Sequence, residues 1–233
     1  MPLPVTPRSR LKYRFDPFWV IVGGLIVMLL ISLTYFLLAE RTNPAYNLML
    51  QALDKLQEYH DYQIVISEEA GPETLSFEGQ VHGINMSGYI PEHDLGVYLK
   101  RGDFYLRHKE SETWEKAETI EGADLKNLEA FLSTPHQIIY WIEEYWEEAQ
   151  TGPQKSNQDD IYKTIYWAVE SPRLWGNVFP AINLDYIHQG TVIMKISSQT
   201  FDVHKFKLAL ILKTPQGEQR RIQRTLTLDN SHD

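Results

Sequence analysis

The sequence contains no cysteine. That absence excludes disulfides, a thiolate zinc site, a cysteine nucleophile and a lipid-modified N-terminal cysteine. Also missing are both glycine-rich phosphate-binding patterns, the nucleophile elbow G-x-S-x-G and the zinc pair H-E-x-x-H. The eight histidines fall at no metal-ligand spacing, so no metal, cofactor or catalytic residue is assigned and no enzymatic activity is expected. There is no internal repeat and no low-complexity tract. Basic side chains are outnumbered 22 to 31, for a net charge of −9. That balance argues against nucleic acid as a partner of the whole chain.

One long run does lack charge. Residues 18–39, FWVIVGGLIVMLLISLTYFLLA, form 22 uncharged positions. At about 1.5 Å per residue such a helix spans the ~30 Å hydrocarbon core of a bilayer. Trp19 and Tyr35 stand near its ends, where amphipathic rings favour the interface. Arg8, Arg10, Lys12 and Arg14 precede it, so the positive-inside rule places the N-terminus in the cytoplasm. The run is longer than a signal-peptide core, and no small-x-small cleavage site follows.

The expected organisation is a basic cytoplasmic stub at 1–17, a transmembrane helix at 18–39, a linker at 40–43 and an extracytoplasmic domain at 44–233. The protein is thus expected to be a single-pass protein of the cell membrane. Residues 1–39 carry four basic and one acidic side chain, which leaves −12 on the remainder. An anionic lipid surface is expected to repel such a domain weakly.

After the linker, NPAYNLMLQALDKLQEYHD reads as a helix, with Asn43 as cap, Pro44 in the first turn and Leu48, Ala52, Leu56 and Tyr59 on one stripe. From Asp61 the period changes to two. DYQIVISEE, TLSFEGQVHGI, NMSGYI, LGVYLKR, DFYLRHK and TWEKAE read as successive strands of an antiparallel meander. GADLKNLEAFLST and PHQIIYWIEEYWEEAQ read as two helices, the second starting at a Thr134–Pro135 cap signal. IYKTIYWAVES alternates, PRLWGNVFPAINL fits neither period, and GTVIMKISSQ, KFKLALILKT and QRRIQRTLTL close the chain as strands. The fold class is α+β with a large antiparallel sheet.

Three clusters invite a chemical reading. Arg101-Gly102-Asp103 is an adhesion-type triplet, but it lies between two alternating runs where a tight hairpin needs glycine. Glu143, Glu144, Glu147 and Glu148 could pair carboxylates for acid/base work, but four together opposite an apolar stripe describe a solvated helix face. Tyr140, Trp141, Tyr145 and Trp146 crowd one helix, as core or as the wall of an apolar cavity.

The helix NLMLQALDKLQEYHDYQIVI feeding a first strand, then FEGQVHG, VYLKRGDFYLRHKESETWEK and GTVIMKISSQTFDVHKFKLALILKT, resembles the lipoprotein-carrier superfamily of bacterial envelopes (LolA, LppX/LprG and RseB-like domains) over roughly residues 44–229. The resemblance implies a curved antiparallel half-barrel with helices on its concave face and an apolar cavity between them that holds acyl chains. Phe77, Val97, Leu99, Phe104 and Leu106 from strands, and Leu128, Phe131, Ile138, Trp141, Ile142 and Tyr145 from helices, are then the candidate cavity walls. The implied ligand is a lipid or lipoprotein acyl chain. An anchored domain without a lipobox cysteine handles such a ligand locally, or serves as a sensor or scaffold for an envelope, sporulation or secretion partner.

Overall fold

The computed structural model describes residues 17–120, 124–152 and 162–229, without the side chains of 17–20, 23, 35–42, 146 and 147. The stub up to residue 16, the polar loop 153–161, and the side chains of Trp19, Tyr35, Trp146 and Glu147 lie outside the described residues. The chain divides into two units, Met1–Asn43 and Pro44–Asp233. In the first, helix α1 covers Pro17–Thr42. Among the described residues no helix is long and apolar enough to cross a membrane, and the side chains described on α1 are those of 21, 22 and 24–34. Nine large apolar side chains on α1, from Ile21 to Leu33, are each more than half exposed.

The second unit is α+β, with a large open antiparallel sheet. Helix α2 (Pro44–Gln57) precedes a meander of β1 (Asp61–Ala70), β2 (Glu73–His82), β3 (Asn85–Ile90), β4 (Leu95–Lys100), β5 (Asp103–His108) and β6 (Glu115–Lys116). Helices α3 (Leu125–Phe131) and α4 (Pro135–Ile142) follow, then β7 (Gln150–Thr151), β8 (Tyr162–Ala168), α5 (Pro172–Val178), β9 (Ile187–Ser197), β10 (Val203–Lys213) and β11 (Gln219–Asp229). The strand order is β6-β5-β4-β3-β2-β1-β11-β10-β9-β8-β7. The two meanders are therefore joined by their first and last strands, β1 and β11. Strands β6 and β7, consecutive in sequence, lie at opposite edges. The chain between them has to cross the whole sheet, and it carries α3 and α4.

Alternation sends one set of residues to the covered face. Tyr62, Ile64 and Ile66 of β1 are buried, and they stand opposite Val81, Gly79 and Phe77 of β2. Ile64 and Ile66 face Leu228 and Leu226 of β11. Phe206, Leu208 and Leu210 continue the face on β10, and Met194 and Val192 on β9. Ala45, Leu48, Met49, Ala52 and Leu56 of α2 join the same core, as do Ile138, Ile139 and Ile142 of α4. Each fully buried aliphatic side chain contributes roughly 1.5–3 kcal/mol.

Two glycine sites are set by close approach. A Cβ at Gly190 would overlap the indole of Trp175, and one at Gly79 or Gly88 would overlap the Phe77 ring. Trp175 is fixed in turn by donating Nε1–H to the Val169 carbonyl at 2.7 Å.

Helix α4 begins at the expected Thr134–Pro135 cap, which Gln137 completes as a capping box. Thr134 N–H donates to Gln137 Oε1 at 2.8 Å, and Gln137 N–H donates to Thr134 Oγ1 at 3.4 Å. It does not run to residue 150. Residues Glu143–Glu148 form a 3-10 segment broken at Tyr145 (φ −109°, ψ 25°). Glu143 and Glu144 at the C-terminal end oppose the helix dipole, and Glu144/Glu148 repeats like charge at i, i+4. The unassigned stretch after β8 forms α5, with Pro172 in its first turn and Leu174, Trp175 and Val178 buried.

Candidate functional site

The site is built by strands of unequal reach. β1 ends at Ala70, which pairs with Ile222 of β11. β11 begins three residues earlier, at Gln219, and pairs there with β10 (Leu212 with Arg220, Lys213 with Gln219). The β10–β11 hairpin thus overhangs the end of β1. Its turn is closed by Gly217 N–H donating to the Thr214 carbonyl at 2.8 Å, with Gly217 at φ +86°. The β1–β2 turn leaves the space open, since Gly71 (φ +67°) brings no side chain and Pro72 turns away from pairing. The segment after α5 supplies the opposite wall; Ile182 N–H donates to the Phe179 carbonyl at 3.2 Å, and Asn183 Oδ1 accepts from Asp185 N–H at 3.0 Å.

The resulting cleft has a volume of about 700 Å³. Its apolar surface comes from Ala70, Pro72, Ala181, Ile182, Leu212 and Ile222, and its charged groups are Arg220, Arg221 and Glu69. Arg220 Nη2 lies 3.7 Å from Glu218 Oε2, with both side chains exposed, and Arg221 Nη2 donates to the neutral Gln223 Oε1 at 2.9 Å. The cleft is therefore amphipathic, with an apolar wall beside two exposed cations. Such a lining suits an elongated apolar ligand with an anionic end. Among the described residues no group of three His, Asp or Glu side chains is placed to hold a metal ion.

The candidates named from sequence lie elsewhere. Phe77, Val97, Phe104, Leu106, Phe131, Ile138 and Ile142 are buried in one continuous core, with Leu99, Leu128, Trp141 and Tyr145 half-buried against it. Trp141 and Tyr145 also line a small cleft of about 80 Å³ with Arg173 and Asn177, and Trp141 one of about 260 Å³ with Gln137 and Pro180. None of the eleven lines the 700 Å³ cleft. Its own residues are hidden in sequence because QRRIQRTLTL reads, correctly, as a closing strand; the signal there is an Arg-Arg pair beside a turn, next to an isoleucine. Among the described residues, Tyr62 Oη and Trp167 Nε1 inside the core have no hydrogen-bond partner. Burial pushes the Tyr62 phenol well above its ordinary pKa.

The Arg101-Gly102-Asp103 triplet is the β4–β5 turn. Arg101 (φ +52°) and Gly102 (φ +92°) are both left-handed, as a two-residue type I′ hairpin requires. Trp114 folds over the outer face of the same hairpin. It lies 3.3 Å from where a Cβ on Gly96 would stand and 6.1 Å from Tyr98 ring to ring, and takes the Arg107 guanidinium 4.7 Å from its centroid.

No protein-family model matches the chain, and no curated protein matches it. Among solved structures the chain is similar to a DUF1329 family protein from Desulfovibrio piger, at 10% identity and a TM-score of 0.24, covering 82% of this chain and 96% of that one.

Proposed function

We propose that this chain is a membrane-anchored, non-enzymatic binding module that holds an anionic amphiphile, such as a lipid or a lipoprotein acyl chain, on the extracytoplasmic side. The single observation that supports the reading most is the 700 Å³ cleft in which Ile182, Leu212 and Ile222 stand beside Arg220 and Arg221. Burying acyl carbon there contributes about 0.8 kcal/mol per CH₂, so a long acyl chain supplies most of the affinity. Anchoring by α1 is supported by the uncharged run at 18–39 and by the nine exposed apolar side chains on it. The finer geometry, a half-barrel with helices on its concave face, is supported by the segment with α3 and α4 that links opposite sheet edges.

Native mass spectrometry of the full chain, released from lipid nanodiscs, tests this. A bound anionic amphiphile is expected, and it should be lost from an Ile182→Trp/Ile222→Trp variant that fills the cleft. A chain that carries no amphiphile, or a filled variant that keeps it, overturns cleft binding.

A second reading, a scaffold or sensor subunit of an envelope assembly, draws on a different observation. Phe77, Ile138, Trp167 and Trp175 fill the space between helices and sheet and are fully buried. A stable protein partner together with an empty cleft in the same spectra favours that reading.

A further inference from the structure

Charge is unevenly placed along this chain. Of 22 basic and 31 acidic side chains, residues 1–39 hold four and one, strands β8 to β11 hold eight and one, and everything else holds ten and twenty-nine. The single acid on those four strands is Asp229, the last residue of β11.

Alternation sorts these cations by face. Met194 and Ile196, and Phe206 and Leu208, point to the core, so Lys195, Lys205 and Lys207 project from the opposite face, with Lys213 at the end of β10. Lys195 and Lys205 are direct cross-strand partners. Like charges in that position destabilise a sheet unless something neutralises them. None of the four lysines forms an ion pair among the described residues. Lys195 Nζ instead lies 4.1 Å from the Tyr162 ring centroid. On β1 and β11 the acids of the same face, Asp61, Glu69 and Asp229, sit at strand ends, Asp61 is 3.0 Å from His82 Nδ1, and the mid-strand Glu78 of β2 is separated from β10 by β1 and β11.

We propose, resting on the anchoring by α1 proposed above, that the outer face of β9 and β10 docks on the anionic phosphates of the membrane surface. The repulsion expected from the net charge does not govern this face. Screening limits each charge to about 8–10 Å, so the local lysines decide rather than distant carboxylates. The cations are mostly lysines, point charges on flexible stems. Those suit laterally mobile headgroups, whereas a fixed carboxylate pattern calls for the planar fork of arginine. Half-buried Tyr162 and Tyr166 on the adjacent strand present the amphipathic rings that favour an interface. The proposed anchoring adds to this, since tethering raises the effective concentration of the following chain at the bilayer.

The test is brief acetylation of the full chain in nanodiscs of phosphatidylcholine alone or mixed with phosphatidylglycerol, with each lysine's rate read by mass spectrometry. Lys195, Lys205 and Lys207 are expected to slow roughly fivefold in the anionic discs, the effect of about one lysine near a charged surface. Lys100 and Lys126 should not change, and high salt should remove the difference. A Lys205→Gln/Lys207→Gln variant, which alters only outward side chains, should return Lys195 to its rate in neutral discs. Equal rates in both discs overturn the docking and leave the anchoring intact. A chain that enters neither disc overturns the anchoring and the docking with it. Protection that appears only when an acidic protein is added assigns the face to that partner and also overturns the lipid proposal.

Discussion

Arg224 and Glu68 form an ion pair on the covered face of the sheet, as direct partners across β11 and β1, with Arg224 Nε 2.7 Å from Glu68 Oε2. Arg224 Nη2 donates to the same oxygen, and Nη1 donates to the Ala130 carbonyl at the end of α3. The guanidinium carbon lies 4.9 Å from the Phe179 ring centroid and 5.6 Å from that of Phe131. One side chain thus ties β1, β11, α3 and the segment after α5 together. Burial lowers the Arg224 pKa, and Glu68 opposes that shift.

Removing the carboxylate leaves a buried cation unpaired. Glu68→Gln is expected to cost about 2–3 kcal/mol, below the ~3–5 kcal/mol of a fully buried pair, because the Glu68 side chain is 24% exposed. Glu68→Leu with Arg224→Met should recover most of the loss. Urea titration of the full chain in nanodiscs reads both, and equal stability of Glu68→Gln and the parent contradicts the role given to the pair.

At Gly190 a methyl group has no room beside Trp175, so Gly190→Ala is expected to lose about 2–3 kcal/mol through overpacking. Gly176 in α5 meets only Leu184 at 3.4 Å or more, and Gly176→Ala should be neutral or gain up to about 1 kcal/mol in helix propensity. Thermal melting separates the two.

Arg101 holds a left-handed backbone that a long side chain disfavours. Arg101→Asn makes the Asn-Gly pair preferred in type I′ turns and is expected to stabilise by about 0.5–1 kcal/mol. A loss of stability in the same melting assay contradicts the turn assignment.

His136 is half-buried near the start of α4, and burial lowers its pKa from 6.5, with a hydrogen bond to the Leu56 backbone pulling the other way. The folded state resists protonation that the unfolded state accepts. Its contribution is therefore complete above about pH 6.5 and declines as pH falls below that value. Stability measured from pH 7.5 to 5 should fall less steeply in His136→Gln than in the parent.

The regular parts of this fold were readable because burial on one face writes period two into strands and a stripe into α2. The strands in DYQIVISEE and KFKLALILKT stand where their patterns put them. Two kinds of feature were not readable. The join of β1 to β11 is a pairing between the two ends of the domain, which no local period records. The 700 Å³ cleft arises from a three-residue difference in strand reach, so its residues look in sequence like ordinary strand ends and turn. The aromatic helix α4 was legible as apolar. What occupies the space beneath it depends on Phe77 and Trp175 packing over glycines, which only the sheet register reveals.

The most direct measurement is photocrosslinking of the full chain in nanodiscs with an anionic fatty acid that carries a photoactivatable group along its chain, followed by peptide mapping. Adducts on Ile182, Leu212 and Ile222 are expected, and they should be weakened by Arg220→Gln/Arg221→Gln. Adducts confined to α1, or found instead on Phe77, Ile138 and Ile142 beneath the helices, contradict binding in the cleft.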